Sequence, residues 1–137
     1  MGQKPEARFI QSIERYLSPL VYRQSMYTPY SNGTPDRYYE GPYNQLWVEY
    51  KFTTALKPRP FKPIDLVTKL QAKWLLRAYK NGIPVAIILG NPKGGAMYMN
   101  KELECNFQFK PIPRRELAEM ILWYTCGPLH TNKRGDA

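Results

Sequence analysis

The chain has 137 residues, a length that suits one domain, and 43% of them are hydrophobic. Lys and Arg outnumber Asp and Glu by 20 to 11, which gives a formal net charge of +9. This balance favours polyanionic partners through Coulomb attraction and counterion release, although a basic surface without such partners stays an alternative. The apolar runs are too short to span a bilayer, and two cysteines with one histidine argue against a zinc site.

The domain organisation predicted from the sequence is simple. No internal repeat or low-complexity linker divides the chain, so we expect one domain over residues 1–128 and a polar, loose tail over 129–137. The residues after Met1 contain no apolar stretch of the kind that a secretory signal has. We therefore expect a cytoplasmic protein whose two cysteines stay reduced.

The first half of the chain predicts one helix and three short strands. Apolar residues three and four apart predict a helix over 5–17, which Pro19 ends. Turn residues separate three predicted strands, over 20–26, 36–39 and 46–52. These strands are expected to form an antiparallel meander.

The second half predicts two further helices around a buried strand. Asp65 is the predicted N-cap of a helix that ends near Asn81, with Gly82 as its C-terminal cap. The apolar side of this helix is predicted to consist of Leu66, Leu70, Trp74 and Ala78. The almost wholly apolar stretch 84–89 predicts a strand buried on both faces.

Weaker strands are predicted over 96–99 and 105–109, before a last helix that begins at Pro113. That helix carries an apolar stripe at positions i, i+3, i+4 and i+7, formed by Leu117, Met120, Ile121 and Tyr124. The stripe, with Trp123 nearby, suits core packing or a contact between two copies. The element order predicts an α/β fold in which helices pack on one sheet.

Charged residues collect on one face of the third predicted strand. Side chains alternate along a strand, so Glu49 and Lys51 share a face while Tyr50 points to the core. A turn at Gly41 allows the second and third strands to pair and to bring Asp36 beside Glu49. Two close carboxylates repel each other unless a cation lies between them, and Mg²⁺ or Mn²⁺ suits such a pair. The pattern predicts a metal-dependent phosphodiester hydrolase, with Lys51 near the attacking water.

Pro35-Asp36 followed by Glu49-x-Lys51 resembles the PD-(D/E)xK nuclease superfamily, and more narrowly a stand-alone VRR-NUC domain. The resemblance extends over residues 6 to 90 and includes Gln71-x-x-Trp74 in the next helix. It implies a restriction-endonuclease-like fold, a mixed sheet flanked by helices in a single domain. It also implies that the Tyr50 carbonyl joins the two carboxylates as a metal ligand, and that Gln71 and Glu6 complete the site.

Each candidate residue also has a purely structural interpretation. Asp36 after a proline suits a turn, and Glu49 with Lys51 suits a cross-strand charge pair. Glu6 suits the positive end of the first helix dipole, and Glu14 is a competing acidic residue on the same helix. Gln71 also suits a solvated helix face.

The expected substrate is DNA. The resemblance implies a contact at Arg23, in the first strand. Lys69, Lys73 and Arg77 are further predicted contacts, although a basic stripe along a helix is also typical of a solvated face. The resemblance implies a nuclease of viral (phage) or bacterial type, similar to the homodimeric Holliday junction resolvases that cut branched DNA. The alternatives are a flap or duplex repair nuclease, a restriction-like nuclease, and a basic DNA-binding protein without catalysis. No membrane partner is expected.

Overall fold

The computed structural model describes residues 4–26, 33–55 and 59–128. In chain order these residues form α1 (Pro5–Glu14), β1 (Tyr22–Ser25), β2 (Arg37–Glu40), β3 (Gln45–Phe52), α2 (Lys69–Lys80), β4 (Val85–Asn91), β5 (Gly94–Met99) and α3 (Arg114–Cys126). Short 3₁₀ helices at Pro63–Leu66 and Asn100–Glu104 precede α2 and follow β5. Within these ranges, none of the helices has the length and apolar character needed to cross a membrane.

The strands lie in one five-stranded mixed sheet in the order β1-β2-β3-β4-β5. The first three form the predicted antiparallel meander, β4 runs parallel to β3, and β5 returns antiparallel to β4. Parallel neighbours need a crossover connection, and α2 lies on that connection between β3 and β4. The predicted single-domain α/β architecture, a mixed sheet flanked by helices, is confirmed.

Two hydrophobic clusters lie on opposite faces of the sheet. One packs α1 and α3 against residues such as Val48, Tyr50 and Ile88. The other packs α2 and the 3₁₀ segments against residues such as Ile87 and Leu89. All seven residues of β4 are buried, which confirms the strand that was predicted to be covered on both faces.

The apolar stripe of α3 belongs mainly to the core. Leu117 and Ile121 are fully buried, in the cluster that joins α3 to the sheet. Met120 and Trp123 lie on the outer side of the helix, with exposed fractions of 38% and 52%. Packing therefore accounts for the buried half of the stripe.

Several predicted boundaries and elements are wrong. Helix α1 ends at Glu14, and a short turn follows it. The N-cap of α2 is Thr68 and not Asp65, because the Thr68 side chain accepts the Gln71 N–H whereas Asp65 lies in a separate 3₁₀ turn. Leu70 is 58% exposed and does not belong to the buried side of the helix.

The predicted strand over 105–109 is also wrong. Phe107 makes a single antiparallel bridge with Phe61, and the chain before it forms a 3₁₀ helix. Residues 27–32 before Asp36, residues 56–58 after β3 and the predicted tail over 129–137 lie outside the described residues. The strand that begins near Asp36 starts one residue later, at Arg37.

Candidate active site

Asp36 lies where the ladder between β2 and β3 ends. The last paired residues are Arg37 and Val48, so one further step of this register places Asp36 across from Glu49. Beyond the ladder, the Tyr50 N–H donates to Asp36 Oδ2 at 2.9 Å. The Asp36 carboxylate thus takes the place of a backbone acceptor beyond the end of the ladder. This hydrogen bond holds the carboxylate at the edge of β3.

Glu49 points to the α2 face of the sheet and is almost wholly buried, with an exposed fraction of 2%. Its Oε2 accepts a hydrogen bond from Gln71 Nε2 at 2.9 Å and lies 3.5 Å from Lys51 Nζ. Its Oε1 is buried and has no hydrogen-bond partner within the described part of the chain. A buried carboxylate oxygen without a donor is costly, so this atom would gain from a ligand.

Gln71 reaches Glu49 because hydrogen bonds at the start of α2 fix both its backbone N–H and its side-chain amide oxygen. Its backbone N–H donates to Thr68 Oγ1 at 3.2 Å, and its Oε1 accepts the Thr68 N–H at 3.0 Å. This reciprocal pair is a capping box, and it leaves Nε2 free to donate to Glu49. Thr68 was not among the predicted site residues, although Thr-x-x-Gln before a helix is the pattern of such a box.

Gly33 lets the preceding loop approach the same helix start. Its φ of +83° is unfavourable for other residues, and a Cβ here would lie 2.4 Å from the Leu70 carbonyl oxygen. The loop that leads into Asp36 is therefore packed directly on the first turn of α2. This contact ties the position of Asp36 to that of Gln71.

Glu6 approaches the site from the first turn of α1. Burial and the nearby Asp36 carboxylate raise its pKa, while Lys51 and a hydrogen bond from the Phe52 N–H lower it. Glu14, the competing acidic residue, points into the cluster between α1 and the sheet, on the face opposite Glu49. It pairs there with Arg37 at 2.9 Å and with the Tyr39 hydroxyl at 2.7 Å. Of the two helical acids, Glu6 is the one that shares an electrostatic environment with Asp36 and Lys51.

The pKa values of the carboxylates reflect this crowding. Burial, followed by the Asp36 charge, raises the pKa of Glu49 to about 8, and Lys51 offsets part of that shift. Burial also raises the pKa of Asp36, against the opposing effect of the Tyr50 N–H. Carboxylates held in this way gain most from a cation that stabilises their ionised forms.

The donor set fits a hard divalent cation. Asp36 and Glu49 supply carboxylate oxygens, one of them the unpartnered Oε1. An extended residue presents its N–H and C=O on the same edge, so the Tyr50 carbonyl faces the Asp36 side as its N–H does. No three His, Cys, Asp or Glu side chains gather into a metal-binding group in the described ranges. A site of two carboxylates, a carbonyl, waters and substrate phosphate is the kind that Mg²⁺ uses.

The predicted DNA contacts fall on two faces. Lys69, Lys73 and Arg77 are exposed along α2, on the face that holds Glu49. Arg23 lies on β1 and donates to the Glu14 carbonyl oxygen at 3.0 Å, which places it on the opposite face. The structure thus brings the α2 cations to the carboxylates' side of the sheet but not Arg23.

Comparisons with known proteins bear on the fold. No protein-family model matches the chain, and no curated protein matches it in sequence. Eight chains of solved structures match it. One is Hjc of Archaeoglobus fulgidus, a Holliday junction resolvase, with a TM-score of 0.51 and 17% sequence identity over 82% of this chain and 99% of that one. The chain therefore has the restriction-endonuclease-like α/β fold of Hjc, as the sequence motifs predicted.

Proposed function

We propose that this chain is a divalent-metal-dependent endonuclease that hydrolyses phosphodiester bonds in DNA and prefers branched DNA. The observation that supports it best is the buried, unpartnered Oε1 of Glu49, opposite Asp36 and beside Lys51. In folded proteins, buried carboxylate oxygens are rarely left without a donor unless a ligand takes that place. The PD-(D/E)xK pattern, and within it the narrower VRR-NUC resemblance, is consistent with this arrangement.

Asp36, Glu49 and the Tyr50 carbonyl would hold Mg²⁺ or Mn²⁺. When bound, such an ion neutralises phosphate charge and lowers the pKa of a coordinated water. Lys51 Nζ lies 3.5 Å from Glu49 Oε2. From this position its ammonium can orient the attacking water and stabilise the charge that develops on the phosphate. Gln71 positions Glu49, and the negative charge of Glu6 attracts the Lys51 ammonium.

The preference for branched DNA rests on the fold shared with Hjc, which is a Holliday junction resolvase. A junction has two equivalent strands to cut, and a two-fold symmetric dimer would place one site on each. We therefore propose that the active form is a homodimer. The exposed cations Lys69, Lys73 and Arg77 would contact the phosphate backbone beside the site.

The test is cleavage of an end-labelled four-way junction, a flap and a plain duplex of matched sequence, with Mg²⁺ and with Mn²⁺. We expect paired symmetric nicks in the junction, lost in Asp36→Asn and in Lys51→Ala. The matched controls are Asp65→Asn and Lys93→Ala, which make the same changes of charge at exposed positions that are not among the proposed site residues. Both controls should cut as the unchanged protein does.

Other outcomes lead elsewhere. Cutting of the flap or duplex but not of the junction would support the nuclease activity and reject the preference for four-way junctions. Binding without cutting by any metal would favour the non-catalytic DNA-binding protein. A monomeric mass in sedimentation, at concentrations where the junction is resolved, would reject the homodimer.

A further inference from the structure

Four aromatic rings form a continuous row across the α2 face of the sheet. Ring centroids of Tyr22 and Tyr38 are 6.4 Å apart, those of Tyr38 and Trp47 are 4.7 Å apart, and those of Trp47 and Trp74 are 5.1 Å apart. The Arg77 guanidinium closes the row, 4.8 Å from the centre of the Trp74 ring. The row thus crosses three strands and ends on α2.

The end of this aromatic row that contains Trp47 and Trp74 lies next to the candidate active site. Trp47 lies two residues before Glu49, and so on the same face of β3. Trp74 lies three residues after Gln71, one turn further along α2. Both indole rings therefore lie close to Glu49, where the scissile phosphate would bind.

The rings are held in orientation and keep part of their surface exposed, although Trp47 and Trp74 also pack against the hydrophobic cluster on the α2 face. Three of them have their polar atom bonded to a side chain two residues away in sequence: Tyr22 Oη to Gln24 at 2.9 Å, Tyr38 Oη to Glu40 at 2.6 Å and Trp47 Nε1 to Gln45 at 3.3 Å. Tyr22 is 57% exposed, and the other rings are half-buried. What the row offers to a partner is therefore aromatic surface and not further hydrogen bonds.

The charge around the row favours a nucleic acid over a second copy of the chain. Lys69, Lys73 and Arg77 lie exposed on α2, with Arg77 at the end of the row, and the chain carries a net charge of +9. Glu40, beside Tyr38, is an acidic residue at the other end. Two copies meeting through this face would bring the α2 cations toward each other, whereas a polyanion would pair with them.

We propose that the aromatic row binds unpaired nucleobases of the substrate by stacking, next to the scissile phosphate. This inference rests on the proposed nuclease function and names the substrate feature that the site selects. Neighbouring ring planes are tilted by 54° to 66° and their centroids are 4.7 to 6.4 Å apart, so the row does not match the parallel bases of a B-form strand, which rise by about 3.4 Å each. The row thus suits bases that have left the helical stack, as at a branch or a single-stranded end.

The experiment measures DNA binding in EDTA, so that no strand is cut. In a Trp123→Phe background, Trp47 and Trp74 are the tryptophans that remain of the three in the chain. An oligo(dT) strand should quench their fluorescence, and a blunt duplex of equal length should quench it much less. Trp74→Leu should weaken oligo(dT) binding by about 5- to 150-fold, the range that base–aromatic stacking gives, and duplex binding far less.

The control and a second variant guard against a folding artefact. Trp123→Leu makes the same change at an exposed position on α3, on the other face of the sheet, and should leave oligo(dT) binding unchanged. Tyr22→Leu alters the most exposed ring, where loss of folding is least expected, and should weaken oligo(dT) binding in the same direction.

Three results would overturn the proposal. One is no loss of oligo(dT) binding in either variant, and another is an equal loss for single-stranded and duplex DNA. The third is tryptophan emission that changes with protein concentration in the absence of DNA, together with dissociation of a dimer by Trp74→Leu. That result would assign the row to a contact between copies. Because no outcome depends on cleavage, failure here is distinguishable from failure of the nuclease function.

Discussion

Glu49→Gln should stabilise the metal-free protein at neutral and alkaline pH while abolishing cleavage. In the folded chain, burial and Asp36 raise the pKa of Glu49 from 4.5 to about 8. Between these two pH values the folded state binds more protons at this site than the unfolded chain does. The free energy of unfolding therefore falls as pH rises through this window, and the contribution of this group is unaffected below about pH 4.5.

The shift sets the size of the effect. Between pH 5 and pH 7.5, the contribution of a carboxyl with these two pKa values to the free energy of unfolding falls by about 3 kcal/mol. The contribution of a residue that does not titrate stays constant. The side chain is 2% exposed, so solvent screening reduces this figure little. Gln is nearly isosteric and keeps an oxygen that can accept the Gln71 Nε2–H, so its cost in packing should be small.

The assay is urea unfolding in EDTA at pH 5 and pH 7.5, for the unchanged protein, Glu49→Gln and Glu104→Gln. The exposed Glu104 position controls for the loss of one carboxylate from the chain. The other buried carboxylates titrate in all three proteins, so the difference in pH slope isolates Glu49. Added Mg²⁺ should stabilise the unchanged protein at pH 7.5 but not Glu49→Gln, because a ligand stabilises only the state that binds it. An unchanged pH slope in Glu49→Gln would refute this reasoning.

Further substitutions test the parts that support the site. Gln71→Ala should lower cleavage by about 10- to 100-fold, the usual effect of losing a side chain that positions a metal ligand, while calorimetry shows weaker Mg²⁺ binding. Gly33→Ala should cost about 1 to 3 kcal/mol in urea unfolding, because its φ is +83° and its Cβ would meet the Leu70 carbonyl oxygen. Tyr39→Phe should cost about 1 to 3 kcal/mol by removing a buried hydroxyl bonded to Glu14, yet leave cleavage of the junction unchanged. Loss of cleavage in a folded Tyr39→Phe protein would mean that the two faces are coupled.

The local pattern of the chain was sufficient to predict the central features of the site. Strand alternation placed Glu49 and Lys51 on one face and Tyr50 on the other, and the apolar stretch of β4 predicted a strand buried on both faces. These features follow from periodicity within a few residues, which is why the sequence alone could predict them. The antiparallel meander likewise follows from short strands joined by turns.

Other features depended on how distant elements dock. Only the packing of α1 shows that Glu6 approaches Asp36, whereas Glu14 bonds Tyr39 on the face of the sheet opposite Glu49. Only the contact between α2 and β3 brings Gln71 to Glu49.

The burial that raises the pKa of Glu49 and leaves its Oε1 unpartnered is also a property of the packed structure. The strand pattern predicted Glu49, and the family resemblance predicted Glu6 and Gln71. Their partners, solvent exposure and charge state depend on contacts between residues far apart in sequence, which only the tertiary structure decides.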